Sequence, residues 1–399
     1  MGTFNAALEI GTTRTVLAIG ESDGAGRLKV TCHAEIPSTG VRKSQILDIK
    51  QATQSIKSVL GEIDRKQAEL GNNATVGNAY LVLSGQHIEA IAAQGMTQVG
   101  GKIGSDEMAA AFNHARSMPI PDNRELLDIA EQDYVVDNGG GILNPRGKSG
   151  HILKLNTLQI VADKNHIQDA RTAADAANMD IREPLFAATC AAEAVLEDYE
   201  KNNGVIVLDL GGGSTGYAVY CDGYLSTTGV IGVGGDHVTN DIAHAFQTTN
   251  LQAEELKTRE AHAILTAESG ATARVKVPGS NPLMESRTIS RRSLDTVVNA
   301  RLKELFAVIR ERLEDLDLMN RLHAGVVLTG GGAHMNGIEP LAEQTLGMHV
   351  RTGRPIHVDG LDDTDFPPAF AAVAGALLYA HSNDDSHSSI FDGLKRFFK

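Results

Sequence analysis

The stretch VLDLGGGSTGYAVY at residues 207–220 is an apolar segment that ends in an acid, turns through three glycines and continues as a second apolar segment. The stretch ALEIGTTRTVLAI at residues 7–19 has the same order of apolar segment, acid, Gly-containing turn and apolar segment. Two apolar segments joined by a short turn are typical of a β-hairpin. Because equivalent hairpins occur in both halves of the chain, we predict a duplicated α/β fold with a cleft between the halves.

Glycine-rich turns of this kind suit the binding of an anion. Glycine has no side chain, so its backbone N–H can approach an oxyanion closely, and successive N–H groups form an anion-binding nest. A third apolar strand, VVLTGGG at residues 326–332, also ends in glycines. The three turns together predict a site for the polyphosphate of a nucleotide. The predicted cofactor-binding residues in these turns are Gly11, Thr12, Thr13, Arg14, Gly211, Gly212, Gly213, Ser214, Thr215, Gly330, Gly331 and Gly332.

Charged side chains near these turns extend the predicted site. Glu9 and Asp209 end the strands before the first two turns, where carboxylates are placed to hold Mg²⁺ through water. Glu254 and Lys257 lie one turn apart on a predicted helix and could reach a ribose or an adenine edge. Taken alone, that segment is more typical of a solvated ion pair. The sequence has no P-loop, and its histidines have no spacing that suits a transition metal.

The composition argues against several other classes of protein. The 399 residues include 36 basic and 50 acidic side chains, a net charge of −14, and no tryptophan. A diffuse acidic charge disfavours binding to nucleic acid. No apolar run approaches the length of about 18 residues that a membrane-spanning helix needs, and the N-terminus lacks a signal-peptide pattern. We therefore expect a cytoplasmic protein with no nucleic-acid partner.

Changes in amino-acid composition and pattern along the chain predict two insertions into the duplicated fold. Short elements punctuated by glycines fill one insertion, and charged helical segments around a strand-like stretch fill the other. A run of Ser, Asn, Asp and His near the end predicts a solvated linker. The predicted units in chain order are first-lobe core 1–83, inserted small subdomain 84–163, first-lobe core with a connecting helix 164–200, second-lobe core 201–243, second insertion 244–321, second-lobe core 322–364, a helix returning to the first lobe 365–380, linker 381–389 and tail 390–399.

The tail, within SIFDGLKRFFK at residues 389–399, is amphipathic as a helix. At 100° per residue its apolar side chains fall within an arc of about 120°, with the charged side chains on the other side. A helix this short is marginal in water but gains helicity at an anionic membrane surface. The alternative is a tail that docks on the protein's own surface or on a neighbour. The predicted membrane residues are Ile390, Phe391, Leu394, Lys395, Arg396, Phe397, Phe398 and Lys399.

Several of these motifs resemble a known family. The acid–Gly–Thr hairpin, the Asp-x-Gly-Gly-Gly-Ser/Thr hairpin and the Thr-Gly-Gly-Gly turn, in that order, resemble the actin, sugar-kinase and chaperone ATPase superfamily. The stretches that resemble the FtsA family of bacterial cell-division proteins within it are LSGQHI at 83–88, GGDHVTNDIA at 234–243, AEELK at 253–257 and VVLTGGG at 326–332. The resemblance covers essentially the whole chain. It implies an α/β, actin-like and ribonuclease H-like, duplicated two-lobe ATPase fold with a relocated small subdomain, termed 1C, at 84–163.

The resemblance also implies a function. Proteins of this family bind ATP, assemble with copies of themselves into membrane-bound filaments, and tether FtsZ to the inner face of the cytoplasmic membrane at the division septum, where other divisome proteins join them. The second insertion, termed 2B, is expected to bind the C-terminal peptide of FtsZ. The basic residues predicted for that contact are Arg291, Arg292, Arg301 and Lys303. Of these, Arg301 could pair bidentately with a carboxylate of the peptide.

One departure from the family pattern bears on catalysis. The second phosphate motif usually ends in Asp, and here it ends in Gly216. The missing carboxylate could have positioned the attacking water, so we predict ATP binding with at most slow hydrolysis. Two alternatives stay open: a small-molecule kinase or phosphatase of the same superfamily, and a pilus-assembly-type actin-like ATPase, which normally lacks the amphipathic tail. A rod-shape-type filament protein would lack the insertion after Leu83.

Overall fold

The computed structural model of the chain describes residues 4–22, 27–71, 75–265, 273–277, 286–362 and 364–384. The predicted membrane segment at 390–399 and most of the predicted linker lie outside these residues. The last helix runs from Ala371 to Asp384, beyond its predicted end at residue 380. The hydroxyl of Ser382 donates to the carbonyl of Leu378 at 2.9 Å. Polar residues that suggested the start of a linker therefore continue the helix.

The first part of the chain builds a sheet around the first hairpin. Its elements are β1 (Phe4–Ile10), β2 (Arg14–Ser22), β3 (Leu28–Pro37), β4 (Val41–Arg42), β5 (Gln45–Ile46), α1 (Ile49–Glu69) and β6 (Asn78–Leu83). β1, β2 and β3 form an antiparallel meander, and β6 pairs with β1 in parallel. Successive residues along β1 are buried on both faces of the sheet, which agrees with its nearly continuous apolar sequence. α1 begins after Asp48, whose carboxylate accepts a hydrogen bond from the N–H of Gln51 at 3.1 Å.

The first insertion is a three-stranded antiparallel sheet with a helix on one face. Its elements are β7 (Ile88–Gln98), α2 (Ser105–Arg116), β8 (Arg124–Val136) and β9 (Ile152–Asp163), with β9 between the other two strands. Ile103, Met108 and Leu153 belong to a small core of its own. The chain then returns to the first sheet through α3 (Lys164–Asp175) and β10 (Asp180–Phe186), which pairs with β6 in parallel.

The second half begins with helices and repeats the hairpin. Its first elements are α4 (Ala187–Val195), α5 (Asp198–Asn203), β11 (Val205–Leu210), β12 (Thr215–Cys221), β13 (Tyr224–Ile231), α6 (Gly235–Ala245) and α7 (Asn250–Arg259). The second insertion contributes β14 (Arg274–Val277), β15 (Arg287–Ser290) and α8 (Arg291–Asp315). The remaining elements are β16 (Gly325–Thr329), α9 (Ile338–Leu346), β17 (Val350–Thr352), β18 (Val358–Asp359) and α10 (Ala371–Asp384).

The two large sheets have the same central arrangement. The first has the strand order β10-β6-β1-β2-β3-β18 and the second β13-β12-β11-β16-β17. In each, a hairpin is flanked by one further antiparallel strand and one parallel strand. The predicted duplication of an α/β fold is therefore confirmed.

Two helices rich in alanine, α4 and α10, lie between the sheets. α10 packs on β1 and β2 of the first sheet, and α4 packs on β11 and β12 of the second. The two helices approach so closely that a Cβ on Gly375 would overlap the carbonyl oxygen of Cys190. This contact joins the two halves of the chain. Among the described residues, no helix combines the length and the apolar character needed to cross a membrane.

Candidate functional site

The predicted cofactor and metal residues all line one cavity of about 270 Å³. The turns after β1, β11 and β16 contribute to its wall, and so do Glu254 and Lys257 of α7. Glu9 and Asp209 line it as well. Residues from both halves of the chain thus converge on a single cleft, as the two equivalent hairpin sequences predicted. That they bind a nucleotide and a metal ion stays a prediction.

The first two turns share the same backbone hydrogen bond. The N–H of Gly11 donates to the carbonyl of Arg14 at 3.0 Å, and the N–H of Gly211 donates to the carbonyl of Ser214 at 3.0 Å. The similarity between the two hairpin sequences therefore corresponds to a structural repeat. In both halves the turn follows directly after a strand that carries a carboxylate.

The two turns also touch each other across the cleft. A Cβ placed on Gly212 would lie 2.5 Å from Cγ2 of Thr13, and one placed on Gly213 would overlap the hydroxyl of Thr12. The second turn has no room for side chains because the threonines of the first turn occupy the space. The glycines of the second turn are therefore required by packing as well as by access to a phosphate.

The two carboxylates at the cavity hold their protons unusually strongly. Burial raises the pKa of Glu9 to about 7; Arg14 opposes this shift, while Asp209 and Glu35 add to it. Burial also raises the pKa of Asp209 to about 6, again opposed by Arg14. Two carboxylates close together in a partly desolvated site are stabilised in their charged form by a bound cation. Their oxygen donors suit Mg²⁺, so this pair fits the ion that the fold implies.

Arg14 is held mainly by its own lobe. Its guanidinium pairs with Glu35, donates to the carbonyl of Ala369, and lies 5.3 Å from the ring centroid of Phe370. The side chain still lines the cavity. Its charge therefore acts on the carboxylates and on any bound phosphate from a fixed position.

Lys257 and Glu254 form a connected group behind the second turn. The Lys257 ammonium lies 2.6 Å from the Glu254 carboxylate and donates to the hydroxyl of Thr239 at 2.9 Å. Lys257 is only 8% exposed, so the pair is not the solvated surface pair that its sequence alone suggests. The N–H of Gly235, at the start of α6, donates to the carbonyl of Gly211 at 3.0 Å. The start of α6 thus fixes the second turn in place.

The third turn closes the opposite wall. Gly330 has a φ of +78°, and a Cβ there would overlap the carboxylate of Asp209. At Gly331 a Cβ would meet no atom within 4 Å, so a side chain would extend into open space. Apolar side chains form a further part of the cavity wall and offer a surface for a base. These are Leu302, Leu305, Met335 and Ile338.

Some cavity residues were not predicted from the sequence. Ser44, Ser84, Gly234 and Gly235 all line the cavity. Ser84 and the two glycines belong to stretches that carry the family resemblance, which was their only signal. Ser44 lies at the tip of the short β4–β5 hairpin, and the sequence of that hairpin contains no signal of a functional role.

The basic residues predicted for partner binding lie on different faces of α8. At 100° per residue, Arg292 and Lys303 share one face, whereas Arg301 points about 180° away from Arg292. Arg292 and Lys303 are exposed. Arg301 forms a bidentate pair with Asp241 of α6 at 2.6 and 3.1 Å, and Arg291 pairs with Glu260. The guanidinium predicted to bind a peptide carboxylate is therefore already bound to two of the protein's own, Asp241 and Glu304.

Comparison with known sequences identifies relatives over nearly the full length. The family model described as "Cell division protein FtsA" matches residues 206–375, and the model of the SHS2 domain inserted in FtsA matches residues 85–161. FtsA of Pseudomonas aeruginosa PAO1 is 31% identical over 415 residues, covering 99% of this chain and 97% of that protein. FtsA of Escherichia coli K12 is 31% identical over 392 residues, covering 95% of this chain and 91% of that protein.

Solved structures agree with this assignment at the level of the fold. A PilM–PilN type IV pilus biogenesis complex aligns with a TM-score of 0.65 at 19% identity, covering 94% of this chain and 98% of the other. MreB5 of Spiroplasma citri bound to ADP aligns with a TM-score of 0.56 at 12% identity, covering 96% and 98%. The actin-like fold with an inserted small subdomain is thus confirmed, and the chain belongs to the FtsA family of cell-division proteins.

Proposed function

We propose that this chain binds ATP with Mg²⁺ in the cavity between its lobes and, as an actin-like polymer on the inner face of the cytoplasmic membrane, tethers FtsZ at the division septum. The observation that supports it best is the convergence of three Gly-rich turns and two half-buried carboxylates on one cleft. Structures of MreB5 with a similar fold contain ADP and AMPPNP. Contacts with other divisome proteins would follow from the same location.

Each part of the cavity has a role in this proposal. The backbone N–H groups of the turns and the hydroxyls of Thr12, Thr13 and Ser214 would hold the polyphosphate, as nests of N–H donors hold anions elsewhere. Mg²⁺, held through water by Glu9 and Asp209, would supply the charge that neutralises the phosphates. Glu254 and Lys257 would contact the ribose or the base beside the apolar wall.

Calorimetric titration with ATP in excess Mg²⁺ tests the nucleotide site. Gly331 lines the cavity and has open space around the position of a Cβ, so the side chain in Gly331→Val would compete with the proposed nucleotide without striking protein and should cost at least about 100-fold in affinity. Gly140→Val is the matched control, because a Cβ there also meets no atom within 4 Å but lies outside the cavity. Wild-type affinity in Gly331→Val would place the nucleotide elsewhere.

The FtsZ peptide is proposed to bind beside the exposed face of α8. Arg292 and Lys303 present two positive charges in an acidic protein, and an acidic peptide would pair with them. Arg292→Glu/Lys303→Glu should weaken peptide binding at least about tenfold in a polarisation titration. Arg301→Ala breaks the pair with Asp241 and serves as a control for disturbance of α6 and α8. Unchanged affinity in the double variant would move the interface away from this face.

The tail, which lies outside the described residues, is proposed to attach the protein to anionic lipid. Its three cations each contribute about 1 kcal/mol at such a surface, and its apolar side chains enter the interface. One tail therefore gives weak, reversible binding, and a polymer with many tails gives strong binding. Sedimentation with anionic liposomes should rise with ATP and fall with salt. It should disappear in Phe397→Asp/Phe398→Asp, and sedimentation of that variant at the wild-type level would exclude the tail as the anchor.

A further inference from the structure

The tip of the β4–β5 hairpin reaches into the cleft and contacts both turns. Lys43 and Ser44 at the tip have φ values of +50° and +60°, as a two-residue hairpin turn requires. This backbone conformation favours glycine, so contacts around the tip must hold it. The N–H of Ser44 donates to the hydroxyl of Thr12 at 2.8 Å, and the hydroxyl of Ser44 lies 3.1 Å from that of Ser214.

A fourth hydroxyl completes the cluster. Ser84, directly after β6, places its hydroxyl 3.5 Å from that of Ser44, and the hydroxyl of Thr12 is also 3.5 Å from it. Thr12, Ser44, Ser84 and Ser214 come from four different elements, and all line the cavity. We call this set the hydroxyl cluster.

The hydroxyl cluster has more donors than it can use internally. Four hydroxyls carry four protons, and the described contacts among them are three. Because Thr12 accepts the N–H of Ser44, its own proton is free to point elsewhere. At least one O–H therefore needs an acceptor outside the cluster. A phosphate, with three acceptor oxygens, is such an acceptor.

The position of the cluster indicates which phosphate it would meet. The apolar wall, Glu254 and Lys257 belong to the second half of the chain, and a base and ribose would bind there. Ser44 and Ser84 belong to the first half, across the seam where Gly213 meets Thr12. A polyphosphate that starts at the apolar wall and passes between the turns reaches these two serines with its far end.

We propose that Ser44 and Ser84, with Thr12 and Ser214, form the subsite for the terminal phosphate of a nucleoside triphosphate, so that they distinguish ATP from ADP. This inference rests on the proposed nucleotide site and adds its specificity. The subsite also adjoins the first residues of the inserted subdomain. Gly85, with a φ of +125°, packs so closely that a Cβ there would lie 2.9 Å from Cβ of Ser44.

Affinities for ATP and for ADP, each measured by calorimetry with Mg²⁺, test the subsite. Ser44→Ala and Ser44→Gly both remove the hydroxyl, and the Gly variant also removes the backbone strain. Each should weaken ATP binding about tenfold, since a hydrogen bond to a charged phosphate is lost, and change ADP binding less than about twofold. Ser84→Ala should act in the same direction and less strongly. Thr39→Ala, at the base of the hairpin, removes a hydroxyl that contacts Gln51 and Ser55 instead, and should change neither affinity.

The possible outcomes distinguish failure of the terminal-phosphate subsite from failure of the proposed nucleotide site as a whole. An ATP-to-ADP affinity ratio that stays at the wild-type value in Ser44→Ala/Ser84→Ala would overturn the subsite alone. A ratio that Ser44→Gly restores would also overturn it, because strain rather than the hydroxyl would then explain the Ala variant. If the wild-type chain binds neither nucleotide, the proposed function fails and the subsite with it.

Discussion

The two hairpin turns have one backbone design but contribute different things to the cleft. The first turn, residues 11–14, supplies side chains: two threonines and an arginine. The second turn, residues 211–214, supplies one hydroxyl, that of Ser214, and otherwise space, because Gly212 and Gly213 lie against the threonines of the first. A repeated motif has thus become two complementary halves. Substitutions that add a side chain to the second turn or remove one from the first should show what each turn contributes to ATP affinity.

The largest effect is expected where the second turn has no space at all. A Cβ on Gly213 would overlap the Thr12 hydroxyl and lie 2.9 Å from Cα of Lys43 and from the N of Ser44. Gly213→Ala should therefore weaken ATP binding about 100-fold, or roughly 2.7 kcal/mol in calorimetry. Adding Thr12→Gly should not restore it, because the hairpin backbone remains.

Gly212 provides the matched contrast. There the three atoms nearest to a Cβ would all belong to the side chain of Thr13. Gly212→Ala should cost about tenfold in ATP affinity, and Thr13→Gly added to it should return affinity to that of Thr13→Gly alone. If both alanine variants are rescued, or neither is, the turns do not pack as described.

The carboxylates should show a smaller effect that depends on magnesium. Asp209→Asn and Glu9→Gln each remove a charge that would hold Mg²⁺ and should weaken Mg²⁺–ATP binding about tenfold, or roughly 1.4 kcal/mol. In EDTA the variants should bind ATP at least as well as the wild type, since a negative charge near the phosphates is gone. Equal losses with and without Mg²⁺ would argue against a metal site.

Folding stability should report the raised pKa of Glu9. The folded chain keeps the proton of this carboxyl up to about pH 7, whereas the unfolded chain releases it near its ordinary value of about 4.3. Stability from this group is therefore fully present below the unfolded value and is lost as pH rises through the folded one. Between pH 5 and pH 8, in urea unfolding without nucleotide, the wild type should lose roughly 2 to 3 kcal/mol more stability than Glu9→Gln.

An exposed carboxylate controls for general charge effects in that measurement. Glu69 of α1 pairs with Arg65 on the surface, and Glu69→Gln should keep the wild-type dependence on pH. If Glu9→Gln also keeps it, the carboxyl of Glu9 is not desolvated in the folded chain.

The sequence predicted the parts of this site that are local. Strand, acid and glycine turn follow one another along the chain, so Glu9, Asp209 and the turns could be placed without a structure. Ser44 could not, because its role depends on Thr12 and Ser214, which lie 32 and 170 residues away. The engagement of Arg301 by Asp241 is a similar long-range contact. The placement of Arg292 and Arg301 on opposite faces of α8, in contrast, follows from helical periodicity and could have been predicted.

The smallest expected effect concerns the residues that face the two acids. In the strand register Glu9 is opposite Val16, and Asp209 is opposite Gly216. The space at Gly216 is taken: a Cβ there would lie 2.9 Å from Cβ of Ala188 on α4. Gly216→Asp alone should therefore disturb α4 and lower stability.

Ala188→Gly removes the Cβ that Gly216→Asp would strike, so the double variant tests the carboxylate itself. If the absence of this carboxylate keeps hydrolysis slow, Gly216→Asp/Ala188→Gly should release phosphate from ATP a few-fold faster than Ala188→Gly alone, with similar ATP affinity. The comparison uses Ala188→Gly because glycine within a helix is itself destabilising by about 1 kcal/mol. Equal rates in the two variants would show that the residue opposite Asp209 does not limit the rate of hydrolysis.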